Sequence, residues 1–329
     1  MKDKKLNILL LGKIDDQALH RLSSAHTVTI VEDKSQTCPA ERLTTIDLII
    51  VRSPHRVPQS LIASCPQLRW IIRAGSGTDN IDVNAAQQRS ISIYVTPLSA
   101  PAVAELAFGL MLSVSRQIPQ LQQSMHRGEW RKYEAMGQEI TGKTIAIVGF
   151  GRIGRRIAAI ANSFDMSILA IDPTPEKPEK QTTARSTSTT FISLEAALPR
   201  ANILVLCCPL TPSTQALIST HQLNLLPAQA IVINVARGGV VNSDALYNAL
   251  ESGHLWGAGL DTYASEPPGI SPLVMHPRVV TTPHIGAQTA ETFTRIADEI
   301  ERIIAFDILP QMQKPAHQPT TVTLSEVTP

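Results

Sequence analysis

The sequence carries almost no net charge. Its 29 Lys and Arg stand against 28 Asp and Glu, a formal balance of +1 at pH 7. Nothing in that balance favours nucleic acid or an anionic membrane as a partner. Long apolar runs are missing as well, and none approaches the ~20 residues a bilayer-spanning helix needs. The start, Met1-Lys2-Asp3-Lys4-Lys5, is basic but leads directly into a strand-like run, and reads as no signal peptide. Cysteine is scarce: Cys38, Cys65, Cys207 and Cys208 show no C-x-x-C spacing. That argues for a reduced, cytoplasmic protein without a structural metal. Cys207 and Cys208 close an apolar run, 203–206, where small buried thiols are the default. No nucleophile elbow, metal-ligand cluster or solenoid repeat occurs.

The chain has 329 residues, 43% hydrophobic and 17% charged. This is ordinary globular composition at a length that suggests two domains. Its organising stretch begins with Ile145 and runs through Val148, four apolar residues that predict a buried parallel strand. The strand enters Gly149-x-Gly151-x-x-Gly154, and 152–164 follows with helix-like spacing. The first glycine allows a tight turn, the second a close backbone approach to a pyrophosphate, and the third close helix–strand packing. The free N–H groups at the helix start then face the phosphates. A second strand, 167–171, ends on Asp172, 18 positions after Gly154, where a ribose hydroxyl needs an acceptor. A bare glycine fingerprint also arises in ordinary turns; the flanking strands and the terminal acid make this one a dinucleotide site.

Strand and helix signals alternate elsewhere, which predicts parallel sheets covered on both faces. Strands are expected at 6–11, 27–31, 47–51, 70–72, 91–95, 203–206, 231–235, 257–260 and 279–281. A helix over 100–118 is apolar around most of its circumference and is expected to be buried between domains or subunits, with Pro119 ending it. Glu129-Trp130 reads as inter-domain packing. The stretch 173–190 reads as loop, and 310–329 as a loose Pro- and Thr-rich tail. A long amphipathic helix over 290–308 is expected to cross back to the first domain.

Open parallel sheets bind ligands beyond the carboxyl ends of their strands. The residues there are Arg52, Arg73, Gly75, Ser76, Gly77, Asp172, Arg237, Asp261 and His284, with Glu266 in a nearby loop. An arginine fork holds a carboxylate through two parallel hydrogen bonds. A histidine beside a glutamate serves as a protonated acid, because the carboxylate favours imidazolium. The glycines before Thr78 offer backbone N–H donors to an anion. Asp79 and Asn80 are expected to hold that turn. A carboxylate clamp, a proton donor and a nicotinamide are what hydride transfer to a 2-keto acid requires.

Five segments in order resemble the D-isomer-specific 2-hydroxyacid dehydrogenases. They are Arg73-x-Gly75-x-Gly77-x-Asp79-Asn80-Ile81-Asp82, the Gly149 to Gly154 fingerprint, Val235-Ala236-Arg237-Gly238-Gly239, Asp261-x-x-x-x-Glu266-Pro267 and Pro283-His284-Ile285-Gly286-Ala287. The resemblance implies two doubly wound parallel α/β domains, with a Rossmann NAD-binding domain (101–284) inserted in a flavodoxin-like substrate domain (1–100 and 285–329). It implies that Arg237 binds and polarises a keto acid, that Glu266 orients and charges His284, and that His284 protonates the carbonyl oxygen. Arg152 and Ile153 would line the pyrophosphate and Asp261 would meet the nicotinamide carboxamide. Pro209, Val235, Ala236 and Gly286 complete the implied NAD set, and Arg52, Arg73, Gly75, Ser76 and Gly77 the substrate set. A homodimer is implied too.

Phosphoglycerate dehydrogenases within the family are most similar. However, the run Val95-Thr96-Pro97-Leu98-Ser99-Ala100 lacks the asparagines usual there, and no regulatory extension follows. Arg52 and Arg73, taken as lacking fixed partners, point to a phosphate at C3 of the substrate, so 3-phosphoglycerate and its keto acid phosphohydroxypyruvate are the leading expected pair. Hydroxypyruvate or glyoxylate reduction and a non-catalytic, NAD-sensing corepressor remain as alternatives. Formate dehydrogenases usually pair the histidine with Gln, so Glu266 argues against that activity.

Overall fold

The computed structural model describes residues 5–33, 36, 38–53, 55–173 and 189–313. Of the expected loop 173–190, residues 174–188, with Lys177 and Lys180, lie outside the described residues, as do residues 314–329 of the expected tail 310–329. The chain divides into two compact units, one from Ala100 to Ala287 and one from the flanking segments up to Ser99 and from Gln288 onward.

The first unit alternates β1 (Asn7–Leu11), α1 (Asp16–Ala25), β2 (Thr27–Val31), α2 (Ala40–Leu43), β3 (Leu48–Val51), α3 (Gln59–Ser64), β4 (Trp70–Arg73), α4 (Val83–Gln88) and β5 (Ser92–Val95). All five strands are parallel, in the order β2-β1-β3-β4-β5. That is the flavodoxin-like order. Central strands such as β3, Leu-Ile-Ile-Val, are buried along their whole length because helices cover both faces. Short acids start the helices: Asp15 accepts from Ala18 N and Asp82 from Ala85 N.

The second unit runs α5 (Ala100–Ser115), α6 (Ile118–His126), β6 (Thr144–Val148), α7 (Arg152–Asn162), β7 (Ser167–Ile171), β8 (Thr190–Phe191), α8 (Leu194–Ala197), β9 (Ile203–Leu206), α9 (Thr220–Leu225), β10 (Ala230–Asn234), α10 (Ser243–Glu251), β11 (Leu255–Leu260), α11 (Pro272–Met275) and β12 (Val279–Thr281). Its parallel sheet is ordered β12-β11-β10-β9-β6-β7-β8. The order reverses between β6 and β9, so this Rossmann sheet opens a crevice at their carboxyl ends. The chain then returns through α12 (Ala290–Arg302), whose buried Ile296, Ala297 and Ile300 pack with Leu6, Ile8 and Leu10 of the first unit.

Three expectations are corrected. The helix predicted over 100–118 ends at Ser115, because Gln117 is left-handed (φ 54°) and Pro119 falls in the first turn of α6. Its apolar surface is covered within its own unit: Ala104, Ala107, Leu110 and Met111 pack with Ile145, Ile147 and Ile157. Trp130 is 73% exposed rather than packed, and Glu129 pairs with Arg127. Five of the eleven exposed large apolar side chains among the described residues fall along one run, Ile118, Met125, Trp130, Tyr133 and Met136; Ile270, Met275 and Phe306 are other strongly exposed ones.

Candidate active site

The crevice of the Rossmann sheet is shaped by its glycines. Gly149 leaves β6 with φ +92°, and a Cβ there would lie 2.7 Å from Cys208 Cα across the switch point. A Cβ on Gly154 would meet Gly149 O at 2.2 Å, so α7 sits against the turn only because that side chain is absent. A Cβ on Gly151 would meet nothing within 4 Å, so its backbone faces open space. Gly151 is the N-cap of α7 and carries no side-chain cap, which leaves the amides of the first turn, at Arg152 and Ile153, to an anion. Asp172 follows β7 and its Oδ2 accepts from Phe150 N at 2.8 Å, tying the acid to the glycine turn. Cys207 donates to Gly149 O at 3.0 Å; burial pushes its thiol well up and raises that of Cys208, which fits structural rather than nucleophilic thiols. Pro209 follows them. These residues fit a dinucleotide.

Beyond β10 the chain passes Val235 and Ala236 to Arg237, whose Nη1 donates to Ala236 O at 2.8 Å. Buried Asn234 shapes this turn, accepting from Ala236 N at 3.0 Å and donating to Arg237 O at 3.1 Å. Beyond β11 lie Asp261, Tyr263 and Glu266. The Glu266 Oε2 is 2.7 Å from His284 Nδ1, and its Oε1 accepts from Tyr263 N at 3.2 Å. Partial burial alone would push the Glu266 carboxyl up. The hydrogen bond and charge of His284, the Tyr263 N–H and the charge of Arg237 bring it below its ordinary value. With Nδ1–H held by the carboxylate, Nε2 is the nitrogen left to exchange a proton with a ligand.

The 282–286 segment carries His284 in a left-handed conformation, φ 53°. The buried Asp261 carboxylate holds this segment, accepting from Thr282 Oγ1 (2.7 Å), Ile285 N (2.8 Å) and Gly286 N (2.9 Å). A carboxylate has roughly four acceptor positions. Asp261 therefore serves first as a clamp for the histidine segment, which the sequence did not reveal.

In the first unit Arg52 and Arg73 do sit at strand ends, but neither lacks fixed partners as expected. Arg52 is buried, donates to Lys13 O at 3.2 Å and lies 3.9 Å from the Phe293 ring centroid. Arg73 donates through Nε to Asn80 Oδ1 (3.1 Å), through Nη1 to Ala74 O (2.6 Å) and through Nη2 to Ser53 Oγ (3.0 Å). Asn80 also donates to His55 O at 2.8 Å, so it holds the turn as expected. Gly75 has φ +149°, and a Cβ there would sit 2.6 Å from Arg73 Nη1. The guanidinium is folded beneath the Gly75-Ser76-Gly77 turn.

Residues 108–286 match the family model for the D-isomer specific 2-hydroxyacid dehydrogenase, NAD binding domain. The chain belongs to that family. Within the family it is 35% identical over 305 residues to a D-3-phosphoglycerate dehydrogenase of Methanocaldococcus jannaschii, covering 91% of this chain and 57% of the relative. It is 39% identical over 259 residues to a hydroxypyruvate reductase of Thermotoga maritima, covering 78% of this chain and 82% of that one. Among solved structures, an NADPH-dependent glyoxylate/hydroxypyruvate reductase from Sinorhizobium meliloti, in complex with NADP and malonate, superposes with TM-score 0.80 at 28% identity. That match covers 92% of this chain and 95% of the other. The chain thus spans little more than half of the phosphoglycerate dehydrogenase it matches, and most of each reductase. Among the described residues no helix is long and apolar enough to cross a membrane.

Gly238 makes a prediction of its own. A Cβ at this position would lie 1.9 Å from Tyr263 C and 2.2 Å from Ala264 N, both backbone atoms. The turn of Arg237 and the loop of Glu266 meet here with no room for a methyl group. Gly238→Ala is therefore expected to cost about 1–3 kcal/mol or more, seen as a lowered Tm. An unchanged Tm would mean that the two loops do not depend on this contact.

Proposed function

We propose that the chain is an NAD-dependent oxidoreductase that interconverts a small D-2-hydroxy acid and its 2-keto acid. The observation that carries this reading is the 2.7 Å Glu266–His284 pair, with Arg237 near enough to act on Glu266 electrostatically. In the proposed reaction the Arg237 fork holds and polarises the keto acid. His284 gives the proton at Nε2 to the carbonyl oxygen during reduction and takes it back during oxidation. Glu266 holds the ring in one tautomer and stabilises its positive charge. The backbone at Gly149, Gly151 and Gly154, with Arg152 and Ile153, would hold the pyrophosphate, and Asp172 the ribose. Pro209, Val235, Ala236 and Gly286 would line the rest. Asp261 keeps one acceptor position for the carboxamide. When bound, the nicotinamide supplies or accepts the hydride.

For the substrate, the internal bonds of Arg52 and Arg73 weaken the argument for a C3 phosphate, which rested on their lacking partners. Those donors would have to leave Lys13 O, Asn80, Ala74 O and Ser53 to meet one. The Gly75 N–H is taken by Arg73 O, so this turn would offer an anion the Ser76 and Gly77 amides instead. We therefore favour an acid without that phosphate, hydroxypyruvate or glyoxylate in the reducing direction, with phosphohydroxypyruvate as the competing substrate. The apolar run from Ile118 to Met136 supports a homodimer, because side chains such as Tyr133 (91% exposed) and Met136 (77%) need a covering surface. Four free cysteines are compatible with a cytoplasmic enzyme.

His284→Ala should lower kcat by about 10²–10⁴-fold while NADH binding, followed by fluorescence, persists. Glu266→Gln removes the carboxylate that favours imidazolium, so the alkaline limb of the reduction pH profile should move to lower pH. A limb that stays in place would remove Glu266 from the mechanism. A 2′-phosphate would face the Asp172 carboxylate, so NADH should be favoured over NADPH about 100-fold, given that ~1.4 kcal/mol is tenfold. Equal kcat/KM with both cofactors would sink that assignment. In the same assay, kcat/KM for hydroxypyruvate and glyoxylate should exceed that for phosphohydroxypyruvate; the reverse ranking would restore the phosphate reading. Light scattering at micromolar concentration should give twice the chain mass, and a monomeric mass would refute the dimer.

A further inference from the structure

Tyr263 lies between Asp261 and Glu266, and its phenol is turned back into the Rossmann unit rather than toward a ligand. The ring is half-buried and packs against the core that includes Leu246, Leu260 and Val241. The hydroxyl donates to Thr282 O at 2.8 Å, with Leu260 O also close at 3.1 Å. Leu260 O already accepts from Thr282 N at 2.9 Å, so the shorter contact to Thr282 O is the one the hydroxyl adds. That same Thr282 oxygen receives the backbone N–H of His284 at 3.0 Å. At its other end Tyr263 gives its own N–H to Glu266 Oε1, while Glu266 Oε2 meets His284 Nδ1. Its main chain, finally, is seated on Gly238.

We propose that Tyr263 is a positioning residue for the Glu266–His284 pair. One side chain fixes the peptide from which His284 departs, and the amide of the same residue fixes the carboxylate that His284 must reach. The inference rests on reading that pair as the acid–base unit. A charge-assisted hydrogen bond of 2.7 Å depends on both partners keeping their places. Here the two places are set by opposite ends of a single residue whose backbone packs directly on Gly238. Burial first, and the Asp261 charge second, raise the phenol above its ordinary value, so the hydroxyl keeps the proton it donates. The charged or titratable groups around the pair are Arg237, acting on Glu266, and Asp261, bonded to the amides of Ile285 and Gly286.

Tyr263→Phe separates positioning from packing. The phenyl ring keeps its contacts, and Thr282 O keeps the His284 N–H, so no buried acceptor is orphaned and stability should hardly change. The variant is measured as the full chain, beside the parent and Glu266→Gln. We expect kcat for keto-acid reduction to fall about tenfold, the scale of a sub-ångström misplacement. KM for NADH should stay within about twofold, and Tm close to the parent's. The alkaline limb of the pH profile should move toward that of Glu266→Gln, and the downfield proton resonance of the bridging Nδ1–H should weaken. Parental kcat with an unmoved limb overturns the proposal, as does a loss of kcat that merely follows a lowered Tm with the limb in place. If Glu266→Gln moves the limb and Tyr263→Phe does not, the positioning role falls while the acid–base pair stands. If Glu266→Gln moves nothing, the pair reading falls, and the positioning role with it.

Discussion

A buried carboxylate that accepts three donors from one short segment governs how the Rossmann unit presents its chemistry. Asp261 draws Thr282 Oγ1, Ile285 N and Gly286 N onto its two oxygens and so bends the chain leaving β12. The bend is unfavourable on its own terms, because His284 sits at φ 53°, a conformation that costs an L residue about 1–2 kcal/mol. Hydrogen bonds to a charged acceptor contribute about 1.5–3 kcal/mol each, enough to offset it. What the bend achieves is direction: it carries the histidine ring onto Glu266 instead of letting the strand continue. Sequence, strain and site are linked at one residue, the aspartate that ends β11.

The same economy of space appears on the nucleotide side. Sheet order reverses between β6 and β9, and the turn after β6 must pass close to the turn after β9. Gly149 makes that passage possible, since a side chain there would strike the backbone of Cys208. The cysteine before it closes the contact from the other side by donating to Gly149 O. Small residues on both turns are thus a packing requirement of the switch point, and the open backbone at Gly151 is its consequence. Gly238 plays the corresponding part between the Arg237 turn and the Glu266 loop.

Strand positions and the doubly wound architecture were legible because runs such as Leu-Ile-Ile-Val at 48–51 admit few other environments. The glycine fingerprint and the Glu266–His284 pair were legible for a different reason: each depends on a few residue types at fixed spacing. Short helices were less visible. α9 went unread although Ser219 and Gln222 form a capping box at its start, a signal that was present in the sequence. The end of α5 was misplaced by a few residues because a left-handed Gln117 has no compositional marker. Its burial was foreseen correctly, but the surface that covers it was not. Apolarity says that a helix must be buried; only the packing of Ala107 and Leu110 against β6 and α7 says by what. Roles built on tertiary contact, such as the Asp261 clamp and the Asn234 bridge, had no sequence signal beyond their positions at strand ends.

Charge at a strand end is therefore an ambiguous sign, and the arginines show why. A guanidinium has five N–H donors and no acceptor, so a buried one must find oxygen atoms wherever the fold offers them. Arg73 finds Ala74 O, Ser53 Oγ and Asn80 Oδ1, and in doing so joins the turns after β3 and β4. Arg52 spends one donor on Lys13 O and lays its plane on Phe293, and burial lowers its pKa. Arg73 lies against the Gly75 turn, and Arg52 against Gly12. Arg237 differs in its setting: its turn is built by Asn234 and bounded by Gly238, and its charge is felt by Glu266. Where three arginines stand at strand ends, it is their neighbours that separate the two bonded to loop oxygens from the one whose charge reaches the Glu266–His284 pair.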